Sequence, residues 1–213
     1  MGKRSVMSIP RERILSHVER KILEEGLTHL TVDDITGALG MSKKTFYKIF
    51  PTKDAMLEEL VSRVIGDVAR GIDGITLGSG TFLEKVVGLM RFLGTAFRRL
   101  AIPLSEEMHR RLPLVWERVE EFRQQKIQEN FTRLLEQGRR EGSLRADVDQ
   151  KVFLMAYGAA IRAIVRPNVL ALHAFTIPDV MEQILRIFFA GIMTERGRTA
   201  FDEIQQRQQS QPH

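Results

Sequence analysis

The sequence predicts an all-α protein, in which a small N-terminal domain of three helices precedes a larger helical domain. Apolar residues recur at intervals of three and four along most of the chain, as they do on one face of an α-helix. The apolar–polar alternation of a half-buried β-strand is missing. Glycine, proline and N-capping residues separate the periodic stretches, so each stretch has a start and an end.

Composition favours a folded core and is compatible with a polyanionic partner. The chain has 213 residues, is 43% hydrophobic and carries a formal net charge of +5. Such a charge fits nucleic acid, but simple solubility explains it equally well. Cysteine is absent, and the histidines lack the spacing of metal ligands, so we expect no metal and no cofactor. No apolar run reaches the roughly 18 residues that span a bilayer, and no signal core opens the chain, which predicts a cytoplasmic protein without a membrane partner.

A first helix is expected over residues 10–26, after a short basic arm. One apolar stripe along this helix indicates that it packs against the following two helices. The basic residues Lys3, Arg4 and Arg11 are secondary candidates for contacts with a polyanion. The stripe consists of Ile14, Val18 and Ile22.

Residues 30–57 then predict two short helices joined by a tight turn and followed by a third helix. Thr31 is an N-cap residue, and Asp34 follows it at the spacing of a capping box. Gly40 suits the left-handed conformation that ends a helix, and Ser42 is the next N-cap. Two helices with so short a turn are typical of a helix-turn-helix unit, which presents its second helix to the major groove of DNA.

The second of these helices, residues 43–50, separates an apolar face from a basic one. Phe46 and Ile49 share one side, and two lysines and a tyrosine lie opposite. Lysine and tyrosine donate to phosphate oxygens, lysine reaches guanine acceptors, and threonine can read a base. The candidates for base contacts are Lys43, Lys44 and Thr45; those for phosphate contacts are Thr31, Tyr47, Lys48 and Lys53; and Ser42 caps the helix at the same surface.

This stretch resembles the N-terminal DNA-binding domain of the TetR family of transcriptional repressors. The resemblance covers one ungapped run over residues 31–57 and implies a C-terminal domain that binds a ligand among its helices. Lys44 and Ile49 depart from the family pattern, which often has a small residue at the first position and an aromatic residue or histidine at the second. The matching residues are Thr31, Ile35, Ala38, Gly40, Ser42, Lys43, Thr45, Phe46, Tyr47, Phe50, Pro51, Lys53, Ala55 and Leu57.

A long helix, expected from Lys53 to about Ile72, connects the two predicted domains. It is too long to belong to the DNA-binding domain alone, and it offers a mechanical link between the two domains. We expect an N-terminal DNA-binding domain at residues 1–55, a C-terminal ligand-binding and dimerisation domain at 56–196, and a polar, disordered tail at 197–213. A loop is expected at Gly71, Gly74, Gly78 and Gly80.

The C-terminal domain is the expected site of a small-molecule effector. The family resemblance implies a pocket among its helices, and large adaptable side chains favour an apolar or amphipathic molecule. Each candidate also fits an ordinary core position. Arg162 stands in an otherwise apolar, small-residue helix, so it either pairs with a carboxylate across a dimer or receives an acidic ligand. The other pocket candidates are Met90, Phe97, Met108, Trp116, Phe122 and Phe131.

The two helices expected over residues 148–166 and from Pro178 onward are predicted to form a homodimer interface. The first carries small residues that let another helix approach closely, and the second has few polar positions. One surface would therefore be too apolar for solvent unless a second subunit covered it. The candidate interface residues are Ala156, Ala159, Ala163, Met181, Ile184, Leu185, Phe188 and Ile192.

Together these features predict a ligand-responsive repressor that binds a palindromic operator as a homodimer and is released by a small molecule. An alternative is an architectural, sequence-tolerant DNA-binding protein whose C-terminal part only dimerises. A pocket whose occupation changes the melting temperature would favour the regulator. An enzyme is not expected, because the sequence contains no P-loop, dinucleotide fingerprint or nucleophile elbow.

Overall fold

A computed structural model describes residues 4–27, 30–100 and 106–209, and these residues form helices with no β-strand among them. The all-α prediction is therefore confirmed. The helices of this described part are α1 (Arg4–Glu25), α2 (Val32–Leu39), α3 (Lys43–Ile49), α4 (Lys53–Leu77), α5 (Phe82–Leu100), α6 (Glu106–Arg111), α7 (Pro113–Arg140), α8 (Gln150–Ile164), α9 (Pro167–Leu172), α10 (Ile177–Ile192) and α11 (Glu195–Gln209).

The chain divides into two compact units. Unit 1 comprises Met1–Gly66 with Arg98–Glu117, and unit 2 comprises Asp67–Phe97 with Arg118–His213. Helices α4, α5 and α7 each contribute residues to both units. The functional boundary expected between residues 55 and 56 stays a prediction, since compactness alone does not define a functional domain.

The core of unit 1 is built where α1, α2, α3 and the first turns of α4 pack together. Ile14 and Val18 of α1, Ile35 of α2 and Phe46 of α3 are all fully buried. The apolar stripe predicted for α1 therefore has the predicted packing role. The helix begins earlier than expected, at Arg4, and it contains Pro10.

Helix α4 continues through two glycines that were expected to form a loop. Gly71 and Gly74 lie inside the helix, which ends at Leu77. A Cβ atom at Gly71 would overlap the ring of Phe92 on α5, so the absence of a side chain lets the two helices approach each other closely. The glycine that suggested a break is therefore a packing residue, and tertiary contacts outweigh its low helix propensity.

Unit 2 has an aromatic core. The ring of Phe131 on α7 lies 4.9 Å from Tyr157 on α8 and 5.9 Å from Phe189 on α10, and Phe153 lies 5.7 Å from Phe189. Burial raises the pKa of the Tyr157 hydroxyl above its ordinary value. The large aromatic side chains thus supply much of the apolar area that holds α7, α8 and α10 together.

A row of polar side chains, buried or half-buried, joins α7 to α4 and α5 in unit 2. Asn130 accepts from the Thr76 hydroxyl at 3.1 Å and donates to Asp73 at 3.1 Å. The Lys85 ammonium donates to the carbonyl of Thr76 at 3.1 Å and to the side chain of Gln137 at 2.9 Å. We call this row the polar seam; its residues are Asp73, Thr76, Lys85, Lys126, Asn130 and Gln137.

Most of the segment expected to be a disordered tail is helical. The Thr194 hydroxyl accepts from the amide of Gly197 at 3.0 Å, Phe201 is buried, and α11 continues to Gln209. Gly197 lies against the carbonyl of Ser143, where a side chain would not fit. Burial of one apolar side chain therefore orders a helix whose composition is mainly polar. Residues 210–213 of the predicted tail lie outside the described residues. Along the described helices, none combines the length and apolar character needed to cross a membrane.

Candidate nucleic-acid interface

Helix α2 starts with the capping box that the sequence predicts. The Thr31 hydroxyl accepts from the amide of Asp34 at 3.1 Å, and the Asp34 carboxylate accepts from the amide of Thr31 at 3.0 Å. Hydrogen bonds from the side chain and then the backbone of Thr31 hold the pKa of Asp34 below its ordinary value. Leu30 and Ile35 on either side are buried, which completes the hydrophobic staple.

The turn between α2 and α3 is short because two residues end one helix and start the next. Gly40 adopts the left-handed conformation, with φ of 62°, and its amide bonds to the carbonyl of Gly37. The Ser42 hydroxyl accepts from the amide of Thr45 at 3.1 Å and lies 2.9 Å from the Thr45 hydroxyl. Both predicted caps are confirmed, and the Thr45 hydroxyl interacts with Ser42 in this structure.

Helix α3 has one buried face and one solvent-exposed face. Phe46 and Ile49 are buried, and the Tyr47 ring meets the Phe46 ring edge to face at 5.4 Å while remaining 48% exposed. Lys44 and Lys48 are exposed, and neither is bound by another side chain within the described part of the chain. Helix α3 thus presents two cationic side chains and a phenol to solvent on a helix fixed by its opposite face.

Two other predicted DNA contacts are already engaged inside unit 1. The Lys43 ammonium lies 2.7 Å from a carboxylate oxygen of Asp33 on α2, and this hydrogen bond raises the pKa of Lys43 above its ordinary value. The Lys53 ammonium donates to the carbonyl of Leu30. Lys53 therefore links the first turn of α4 to the segment before α2, which positions the helix-turn-helix whatever Lys53 contributes to DNA contacts.

Arg11 has a structural role. Its guanidinium pairs with Glu59 on α4, donates to the carbonyl of Ile49 at 2.9 Å and lies 4.8 Å from the centre of the Phe50 ring. These contacts satisfy the positive charge of the guanidinium inside unit 1, so Arg11 braces α3 against α1 and α4. Lys3 of the expected basic arm, and the side chain of Arg4, lie outside the described residues.

The described side chains proposed to line an effector pocket are divided between unit 1 and unit 2. Met90 and Phe122 are half-buried in unit 2, and Phe131 belongs to its aromatic core. Met108 is buried and belongs to unit 1. The side chains of Phe97 and Trp116 lie outside the described residues. The pocket stays a prediction.

Helices α8 and α10 each have one face in the core of unit 2 and one face in solvent. Four of the predicted interface residues on α10 are buried within the protomer, so they are not free to contact a second subunit, and half-buried Phe188 lies at the edge of the exposed face. The apolar face of α10 is wide, so periodicity did not show which of its apolar residues would be buried. The buried four are Met181, Ile184, Leu185 and Ile192.

Part of the exposed surface of these two helices is apolar. Val152 and Met155 on α8 and Ile187 on α10 are 65%, 71% and 65% exposed. An open groove of about 370 Å³ runs between the helices and is lined by Val152, Phe153, Ile187 and Phe188 among others. Four further residues on α8 lie in solvent, namely the predicted Ala156, Ala159 and Ala163, with Arg162 beside them.

Two features of the structure have no counterpart in the sequence-based expectations: the Asp33–Lys43 pair and the polar seam. Both join residues on different helices, so no short sequence motif predicts them. Asp33 stands at the second position of α2, where an acidic residue is usually explained by the helix dipole. For Asn130 the signal was a polar residue among the inward-facing positions of α7.

Comparison with known proteins agrees with this architecture. Residues 14–60 match the family model of bacterial regulatory proteins of the TetR family. The HTH-type transcriptional regulator YvaF of Bacillus subtilis (strain 168) is 27% identical over 193 residues, which cover 89% of this chain and 98% of that protein.

Solved structures share the fold. The ketosteroid transcriptional regulator KstR2 of Mycobacterium tuberculosis superposes with a TM-score of 0.57 at 23% identity, covering 87% of this chain and 96% of that one. The complex of SmeT with triclosan gives 0.64 at 17% identity, covering 88% and 93%. SmeT is the repressor of the Stenotrophomonas maltophilia multidrug efflux pump SmeDEF.

The fold and the capped, lysine-bearing α3 define a helix-turn-helix DNA-binding transcriptional regulator. The matched segment is similar to TetR-family regulators, and the full-length relative is named an HTH-type transcriptional regulator.

Proposed function

We propose that the chain is a ligand-responsive repressor that binds a palindromic operator as a homodimer and leaves it when a small molecule binds unit 2. The observation that supports DNA reading best is the outward surface of α3. Lys44, Tyr47 and Lys48 lie in solvent on a helix whose buried face and cap fix its direction. Such a surface provides donors for both phosphates and base edges in the major groove.

The DNA contacts divide into two groups in this proposal. Lys44 is the main candidate for base contact, with Lys43 and the Thr45 methyl group beside it. Tyr47 and Lys48 contact phosphates, and so do two residues at helix starts, where free amides add to the attraction for anions. These two are Thr31 and Lys53.

Homodimer formation would place two copies of α3 in successive major grooves. The exposed apolar face of α8 and α10 supports it, because a monomer would leave Val152, Met155 and Ile187 in water. The proposed contact surface differs from the sequence-based one: alanines of α8, the half-buried Phe188 and these three residues form it, and the four buried residues of α10 support it from behind.

The effector in this proposal is a small apolar or amphipathic molecule bound within unit 2. SmeT forms a complex with triclosan and KstR2 is a ketosteroid transcriptional regulator, so triclosan and a ketosteroid are sensible first probes. Helix α4 extends from Lys53, just after the helix-turn-helix, to Leu77 in unit 2, and we propose that it transmits the change.

Selection of bound DNA from a random duplex pool tests the proposal most directly. The expected result is a two-fold-related sequence, bound by one dimer and released by a compound that also raises the melting temperature of the protein. Enrichment of no sequence, with affinity equal for all duplexes, would favour the architectural protein instead.

The dimer face is tested separately by introducing a charge. Ala159→Glu puts a carboxylate on the exposed face of α8 without touching the core, so we expect a monomer by light scattering and loss of operator binding. Ala146→Glu, at an exposed position between α7 and α8, adds the same charge and should leave the dimer intact. A dimeric Ala159→Glu protein would rule out this face.

A further inference from the structure

An acidic residue stands on the same surface as the lysines of α3. Asp33 lies in the first turn of α2 and Lys43 is the first residue of α3. The Lys43 Nζ atom is 2.7 Å from the Asp33 Oδ1 atom, and the side chains are 59% and 70% exposed. The pair therefore spans the two helices of the helix-turn-helix on its solvent side.

The fold does not depend on this pair. Exposed ion pairs add little to stability, because solvent screens the charges and two long side chains lose freedom. The two helices are already fixed by their caps at Thr31 and Ser42 and by the buried contacts of Ile35 and Phe46. The consequence of the pair therefore concerns what this surface binds.

The pair changes the charge that α3 offers to DNA. Of its three lysines, Lys43 alone has a carboxylate partner within the described residues, whereas Lys44 and Lys48 have none. A lysine that neutralises a phosphate releases condensed counterions, and that release drives binding to DNA of any sequence. Lys43 contributes less binding free energy in this way. If its ammonium moves from Asp33 to a phosphate, the Asp33 carboxylate is left unpaired beside the negatively charged DNA.

We propose that Asp33 is a specificity-determining residue: its carboxylate holds Lys43 and so weakens sequence-independent DNA binding. This inference rests on the proposed function, in which α3 faces DNA. Discrimination between sequences then depends more on residues that can contact bases, Lys44 and Thr45 among them, and less on total positive charge.

Asp33→Asn tests the role. The amide keeps the shape and removes the charge, so Lys43 becomes available to any phosphate. On a duplex of scrambled sequence we expect tighter binding, with a slope of log affinity against log salt steeper by about 0.9. The ratio of affinities for a selected duplex and the scrambled duplex should fall. Asp33→Ser, which keeps a residue suited to a helix start, should behave in the same way, and thermal unfolding verifies that both variants fold.

A double-mutant cycle separates this role from simple repulsion. In a Lys43→Gln background, Asp33→Asn should change neither the affinity for the scrambled duplex nor the salt slope. A gain of the same size in that background would overturn the proposal, because Asp33 would then act without Lys43. An unchanged affinity and slope for Asp33→Asn alone would overturn it as well.

A matched charge control exists in unit 2. Asp147 pairs with Arg145 and is 66% exposed, close to the exposure of Asp33. Asp147→Asn changes the net charge by the same amount as Asp33→Asn and should leave the salt slope unaltered. If both variants bound the scrambled duplex more tightly by the same factor, the effect of Asp33→Asn would come from net charge alone. If the parent protein bound no duplex in a salt-dependent way, the proposed function itself would fail. If the parent bound a selected duplex, and the Asp33→Asn variant had the same affinities and salt slope as the parent, only the role of Asp33 would fail.

Discussion

Lysine has opposite surroundings in the two units of this protein. Lys48 on α3 in unit 1 lies in solvent without a side-chain partner in the described structure, and Lys85 in unit 2 is only 8% exposed. The Lys85 ammonium is bound by the Thr76 carbonyl and by Gln137. The exposed lysine is available to a polyanion, whereas the buried one satisfies acceptors that water no longer reaches. Position in the fold, and not residue type, separates recognition from stability here.

The largest effect on stability is expected from the polar seam. Asn130→Ala removes a side-chain acceptor of the Thr76 hydroxyl, which also reaches the carbonyl of Ile72, and a donor to Asp73. The site is 3% exposed, so the free energy of unfolding should fall by about 2–3 kcal/mol. Denaturant titration measures the change. Asn168→Ala, at an exposed asparagine of α9, is the control and should stay within about 0.5 kcal/mol of the parent. Equal, small changes for both variants would show that the seam contributes nothing particular.

Replacing an exposed lysine of α3 should change DNA binding and leave the stability of the protein nearly unaltered. Lys44→Ala should leave stability within about 0.5 kcal/mol and cost about 1–3 kcal/mol of binding to the selected duplex, with altered base preference at one position. Lys48→Ala should weaken binding to all duplexes and lower the salt slope by about one. Selection from a random pool and salt titration distinguish these results. If Lys44→Ala selected the same sequence as the parent, Lys44 would not read a base.

The cap of α3 links local structure to recognition, and its loss should have an intermediate effect. Ser42→Ala removes the side-chain acceptor for the Thr45 amide, which should cost about 1 kcal/mol of stability. DNA binding should weaken as well, because the first turn of α3 frays. Ser62→Ala, within α4, removes a hydroxyl whose one hydrogen bond among the described residues goes to the backbone carbonyl of Glu58, and it should be nearly neutral. Thermal unfolding of the two variants, side by side, is the measurement.

The parts of the fold that were predictable from sequence are those set by neighbours in the chain. The capping box at Thr31, the left-handed Gly40 and the cap at Ser42 each depend on residues no more than four positions away. The helical period also predicted which face of α3 is buried, because the large apolar residues Phe46 and Ile49 lie on the same side of the helix.

The parts that were not predictable depend on contacts between distant segments. Gly71 suggested a loop until Phe92 was seen to occupy the space beside it. Helix α11 is polar in composition and is anchored through Phe201. Helix α10 has a wide apolar face, so periodicity did not distinguish buried Ile184 from exposed Ile187. The Asp33–Lys43 pair likewise required the relative placement of two helices.

Acid should weaken the polar seam, and this is the smallest effect we predict. Hydrogen bonds from Lys126 first, and then from Asn130, hold the pKa of Asp73 below its ordinary value of 3.8. A carboxyl whose pKa is lower in the folded state contributes stability above its unfolded pKa and loses that contribution as pH falls through the folded value. Asp73→Asn should therefore be less stable than the parent at neutral pH, and the gap should close below about pH 4.

Denaturant titrations of both proteins across this range measure that gap. The matched comparison in unit 1 is Asp34→Asn, since the pKa of Asp34 is lowered by the hydroxyl and amide of Thr31 and not mainly by a cation. Added salt should shrink the contribution of Asp73, which includes attraction to the Lys126 charge, more than that of Asp34. If the difference in unfolding free energy between Asp73→Asn and the parent did not depend on pH, the charge of Asp73 would contribute nothing to stability. The contrast between a charged seam and a neutral cap would then not hold.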